Sequence, residues 1–133
     1  MITVPTELHL ALKALMMPRD TNQHGTIFGG VVLSYIDQAG AVGALYALQL
    51  AGHSEKPLVS VAMDRVEFLK PIHVGNVVSF MTRVLAVGRT SITVEVIVQS
   101  VRKGEPVELT RAVVTYVAVT RNEAKQTPVG LYD

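Results

Sequence analysis

The chain has 133 residues, enough for one domain with a true core and too few for two ordinary ones. Lys plus Arg is 12 and Asp plus Glu is 11, a formal net charge of +1 that gives no broad field for nucleic acid or an anionic membrane and leaves only a local anion site open. Cysteine is absent, which excludes a disulfide framework, a thiolate metal site and a cysteine nucleophile, and the charged fraction of 17% is low enough to suggest surface covered by another chain.

In chain order, Leu8, Leu10 and Leu12 alternate with polar or small residues, the period of a half-buried strand, and Pro18 ends it. The start shows no basic segment with a cleavage site, so cytoplasmic residence is expected. Residues 19–25 are polar and loop-like. From Gly29 to about Leu50 the alternation gives way to Gly, Ala, Val, Leu, Tyr and Ile without proline. This predicts one long helix, apolar enough to be wrapped on most sides, with Gly29, Gly30, Gly40 and Gly43 allowing another backbone to approach. Its Ser34, Asp37, Gln38 and Gln49 argue for a packed core helix over a membrane span. A surface connection through Pro57 follows.

Four strands come next. Val59, Val61 and Met63 alternate in the first, and Val78, Phe80, Thr82, Val84 and Ala86 form one face of the second. Ile92, Val94, Val96 and Val98 form one face of the third, and Val107, Leu109, Val113, Val117 and Val119 share a parity in the fourth. Turns fall at Gly75-Asn76, at Gly88-Arg89-Thr90 and at residues 103–106. The tail after Asn122 reads as frayed. The expected class is α+β, five antiparallel strands curling around one helix.

Asp37 is the first candidate for chemistry, a carboxylate in the most apolar part of the chain. It either hydrogen-bonds a neighbouring loop or acts on a substrate. Gly29 and Gly30 precede it by eight and seven residues, nearly the same helix face, about 10–12 Å away along the axis. Free amides at a helix start favour a developing negative oxygen. Asn22 either orients a water or carbonyl or forms an ordinary turn. Gly88-Arg89-Thr90-Ser91 is either a phosphate cradle or a polar hairpin, and Lys70 could add charge. His24 has no partner at metal spacing and reads as loop or rim; no metal site is expected.

The run from Asp20 to Gly30 (Asp-Thr-Asn-Gln-His-Gly-Thr-Ile-Phe-Gly-Gly), followed by Leu33-Ser34 and Asp37, resembles the signature of hotdog-fold acyl-CoA thioesterases of the YciA-type and brain-type branch. Val66 to Val78 and Val87 to Ser91 extend the resemblance over about residues 8–120. It implies a single hotdog domain over 1–133, paired edge to edge into dimers and often into trimers of dimers, with active sites between chains. It implies hydrolysis of acyl-CoA to free acid and CoA without a cofactor. Asp37 would be nucleophile or general base, Asn22 would position water or substrate, and Gly29 or Gly30 would polarise the carbonyl. Lys70, Gly88, Arg89, Thr90 and Ser91 would meet the CoA phosphates. The rival expectation is a non-catalytic acyl-CoA binder or sensor on the same fold.

Overall fold

The computed structural model of the chain describes residues 3–53, 56–121 and 126–131. β1 (His9–Leu15) leads through a short 3₁₀ turn (Pro18–Asp20) to α1 (Gly29–Leu50). Four long strands follow: β2 (Leu58–Phe68), β3 (Val77–Val87), β4 (Ser91–Arg102) and β5 (Glu105–Arg121), with a short β6 (Gln126–Pro128). The antiparallel sheet runs β1-β3-β4-β5-β2, with β6 paired to the end of β5. The expected arrangement of one long helix against five antiparallel strands is therefore present. β1 and β2 form its edges.

The helix is less enclosed than expected. Its buried positions are Val32, Ile36, Ala39, Gly40, Gly43, Ala44, Ala47 and Leu48, a single stripe at the helical period. Val42, Tyr46 and Leu50 stay exposed, although Tyr46 stacks on His9 of β1. The sheet covers one face only, so the even spread of apolar residues leaves surplus apolar surface rather than a wrapped rod. The close approaches at Gly40 and Gly43 come from side chains, not backbone. A Cβ at Gly40 would collide with the Tyr116 hydroxyl and one at Gly43 with Thr82.

The core gathers Phe80, Ile92, Val94, Val96, Val98, Val114 and Tyr116 from the concave face. Two face assignments change. A register shift between Val84 and Ala86 turns Ala86 outward and Val87 inward. In β5 the helix-facing parity is Thr110, Ala112, Val114, Tyr116 and Ala118, while Val113 and Val117 lie half-buried on the outer face. β-branched residues suit either face of a sheet, so their parity alone does not say which one meets the helix.

The expectation of a frayed tail falls partly on residues 122–125 and 132–133, outside the described residues. Over residues 126–131 the chain is instead tied down. β6 pairs with Val119, Thr120 and Arg121, and Val129 N–H donates to the Ala118 carbonyl at 2.9 Å. Leu131 is 2% exposed and joins the core. Leucine and valine at 129–131 supply enough apolar area to hold a strap that a polar approach segment conceals.

Candidate functional site

α1 begins with Phe28 as its N-cap, which offers no side-chain acceptor. Val31 and Val32 donate to the Phe28 carbonyl, whereas the amides of Gly29 and Gly30 find no acceptor among the described residues. Consecutive helical residues are turned by about 100°, so these two glycines face different spaces. Gly29 borders a cavity of about 330 Å³ beneath the first turn, with Val32, Phe68, Lys70, Ile72 and Thr110. Gly30 borders an open groove of about 430 Å³ that also holds Leu33, Ser34, Asp37, Ser60 and Met63. The seven-residue spacing thus puts Gly30 and Asp37 on one face, as helix geometry requires.

Asp37 is half-buried at the groove, not enclosed in the core. The groove runs between α1 and residues of β2 and β5, and there the carboxylate reaches partly solvated space, which removes most of the burial cost. Its backbone carbonyl accepts a 2.6 Å hydrogen bond from the Tyr116 hydroxyl. Burial, reinforced by the nearby Asp37 carboxylate, raises the Tyr116 pKa above the usual phenol range. Tyr116 is therefore a fixed donor at neutral pH and cannot serve as a base.

Asn22 is occupied with its own loop. Its Oδ1 accepts from the His24 amide at 2.8 Å and the Thr26 amide at 3.3 Å, and its Nδ2 donates to Thr26 Oγ1 at 3.1 Å. Thr21 and Ile27 bridge the loop ends. This is the turn-forming arrangement of an Asn. Within one chain Asn22 does not border the Asp37 groove. His24 is exposed. No cluster of His, Asp or Glu able to hold a metal occurs among the described residues.

Lys70 and the Gly88–Ser91 turn lie at opposite ends of the sheet. Phe68 pairs with Thr110 at one end. At the other, Ser91 and Val59 both pair with Val117. Seven residues of β5, Thr110 to Val117, separate these levels, about 23 Å. The turn itself is a polar hairpin in which Gly88 N–H donates to the Ser91 carbonyl at 2.8 Å. Arg89 is exposed, and its carbonyl accepts from Leu131 N–H at 3.0 Å. A Cβ at Gly88 would lie 2.7 Å from Ser91 Oγ, so a larger residue there requires the Ser91 hydroxyl to rotate away.

Sequence reasoning missed Ser60, which shares the Asp37 groove. A register shift between Ser60 and Ala62 lets consecutive β2 residues line the groove. Local pattern gives no sign of this, because pairing across to β5 sets which β2 residues lie beside the helix. It also missed the buried Thr110. A hydroxyl on the helix-facing parity of β5 was the signal, hidden by the wrong choice of parity.

The profile of the Thioesterase superfamily matches residues 24–107. An uncharacterized acyl-CoA thioester hydrolase of Haemophilus influenzae is 43% identical over 123 residues, covering 89% of this chain and 76% of that protein. The acyl-CoA thioester hydrolase YciA of Escherichia coli K12 is 38% identical over 115 residues, covering 83% of each chain. A hexameric hotdog fold thioesterase of Campylobacter jejuni superposes with a TM-score of 0.75 at 40% identity, covering 91% of this chain and 90% of that one. The helix-on-sheet architecture is the hotdog fold.

Proposed function

This chain belongs to the thioesterase superfamily, and on that premise we propose that it hydrolyses acyl-CoA thioesters to the free acid and CoA. The observation that carries the reading is the groove in which Asp37 and the unpaired Gly30 amide at the start of α1 meet. The thioester carbonyl oxygen sits at that helix start, where the amides and the positive end of the dipole favour the developing oxyanion. Asp37 delivers the attack, either directly, forming a mixed anhydride that water then cleaves, or by deprotonating a water that adds to the carbonyl; in both cases the thiolate of CoA leaves. A thioester carbonyl is already electrophilic and its thiolate leaves readily, so the reaction is proposed to need no cofactor.

The rest of the site comes from a second chain. β2 is an edge strand whose Val61 and Phe68 are 58% and 57% exposed. Antiparallel pairing of two β2 edges reverses one chain against the other. It carries Asn22 and Lys70 of the second chain toward the Asp37 groove and the Gly88–Ser91 turn of the first. That reversal removes the separation of about 23 Å within one chain, supplies a water- or substrate-positioning Asn22, and lets Lys70 and Gly88-Arg89-Thr90-Ser91 share the CoA phosphates. Residues 1–133 act as one hotdog domain, a cytoplasmic homo-oligomer with the dimer as working unit, assembled as a hexamer of three dimers.

The test is thiol release from a panel of acyl-CoAs, followed with a thiol-reactive chromogen. The chain has no cysteine, so the signal reports released CoA alone. Release that depends on Asp37 supports the reading. Tight acyl-CoA binding without thiol release overturns it in favour of a binder.

A further inference from the structure

We infer that Tyr116 is a positioning residue for the reaction: its buried hydroxyl clamps the turn of α1 that carries Asp37 and holds the carboxylate in one orientation toward the groove. The inference rests on the thioesterase reading and adds a residue to it.

Tyr116 lies on β5 between Ser60 of β2 and Ile92 of β4, on the parity that faces α1, and is 1% exposed. Its neighbours Ser60 and Val114 both border the Asp37 groove. Side chains stand nearly perpendicular to a sheet, so the ring crosses from the strand to the helix. Its hydroxyl donates to the Asp37 carbonyl at 2.6 Å, and the Asp37 carboxylate and the Ala41 amide are its other hydrogen-bonding neighbours. One group thus touches both the backbone and the side chain of the same residue. The phenol stays protonated at neutral pH, because burial raises its pKa above the usual range.

Two residue choices converge on this contact. Phenylalanine would fill the same apolar space with no hydroxyl to desolvate, and a buried hydroxyl is costly unless it is bonded. Gly40 lies three residues after Asp37, within α1, where glycine is destabilising relative to alanine. A Cβ there would collide with the Tyr116 hydroxyl, so the glycine keeps open the place that the hydroxyl occupies. Asp37 is half-buried at an open groove, where a carboxylate without a fixed partner samples several rotamers. A base oriented by a third group is a recurring catalytic arrangement, and the Tyr116 hydroxyl supplies that group from the sheet side. Orientation is then set before the substrate arrives, so less of it has to be gained in the transition state.

The experiment is a double-mutant cycle on thiol release, with the wild type, Tyr116→Phe, Asp37→Asn and the pair, each assayed well below its thermal midpoint. Tyr116→Phe is expected to lower kcat about 10- to 100-fold, with KM and direct CoA binding changed by less than about twofold. In the Asp37→Asn background the same substitution should cost less than about twofold, because the hydroxyl acts through the carboxylate. Val96→Ala is the control for a loosened core: Val96 is fully buried and does not border the Asp37 groove. It should lower the thermal midpoint and keep kcat within about twofold of the wild type. Losses that multiply in the double variant overturn the positioning role, as does an equal fall of kcat in Val96→Ala or an effect confined to KM. A Tyr116→Phe chain that no longer folds assigns the hydroxyl to the fold alone and overturns it as well. In each of these cases thiol release by the wild type leaves the thioesterase reading intact. Wild-type protein that releases no thiol from any acyl-CoA sinks that reading, and the positioning role falls with it.

Discussion

Asp37 owes its usefulness to the groove left open between α1 and β2. It shares a groove with Gly30 and is half-buried, so it remains reachable by substrate and water. For Asp37→Asn we expect kcat to fall roughly 10²–10⁴-fold, the range for a positioned acid or base, with little change in CoA affinity. Steady-state thiol release together with direct CoA binding checks this, and wild-type turnover would remove Asp37 from the mechanism. Tyr116 gives a prediction in pH. Its folded pKa is raised above the unfolded value near 10, chiefly by burial and then by the Asp37 carboxylate. Its contribution to stability is therefore complete below about pH 10 and is lost as pH rises beyond that value. Urea unfolding from pH 8 to 11 should show the wild type losing stability at the alkaline end more steeply than Tyr116→Phe. Parallel curves would mean that the phenol is not held neutral by the fold.

Among the elements, the C-terminal strap links parts that are far apart in sequence. Leu131 N–H reaches the Arg89 carbonyl at 3.0 Å, and Lys56 Nζ donates to the Gly130 carbonyl at 2.5 Å. The strap thus braces the Gly88–Ser91 turn from behind while the Arg89 side chain stays exposed. If that turn meets the CoA phosphates, Arg89→Ala should raise KM for CoA thioesters about tenfold with a smaller change in kcat. Leu131→Ala should raise KM in the same direction and lower stability by about 2–3 kcal/mol. A thioester lacking the nucleotide is the control: its KM should not respond to either substitution, and an equal response would place the phosphates elsewhere.

For the whole molecule, the unresolved demand is apolar surface. Leu50, Val61, Phe68 and Leu69 are each roughly half exposed, and Val61 and Phe68 lie on an unpaired strand edge. The proposed pairing with another copy would cover such surface. Placing a charge on that edge, as in Val61→Lys, should shift the protein toward monomer in sedimentation and lower turnover at least tenfold, because the proposed site spans two chains. A monomer with full activity would overturn the shared site.

The element order was legible because period two and helical composition are local properties, and α1 begins and ends where residues 29–50 said it would. Spacing also put Gly30 and Asp37 on one face, since seven residues along a helix leave no other choice. Composition did not reveal that the helix is covered on one side only, which parity of β5 faces inward, or that Leu131 returns to the core. Each depends on register across the sheet, and register is set by bulges and pairings between residues distant in sequence. For the same reason Ser60 and Thr110 became visible only in three dimensions. The sequence by itself determined which residues are able to do chemistry; the tertiary structure decided which of them meet, because strand pairing and helix rotation, not proximity in the chain, bring side chains to a common space.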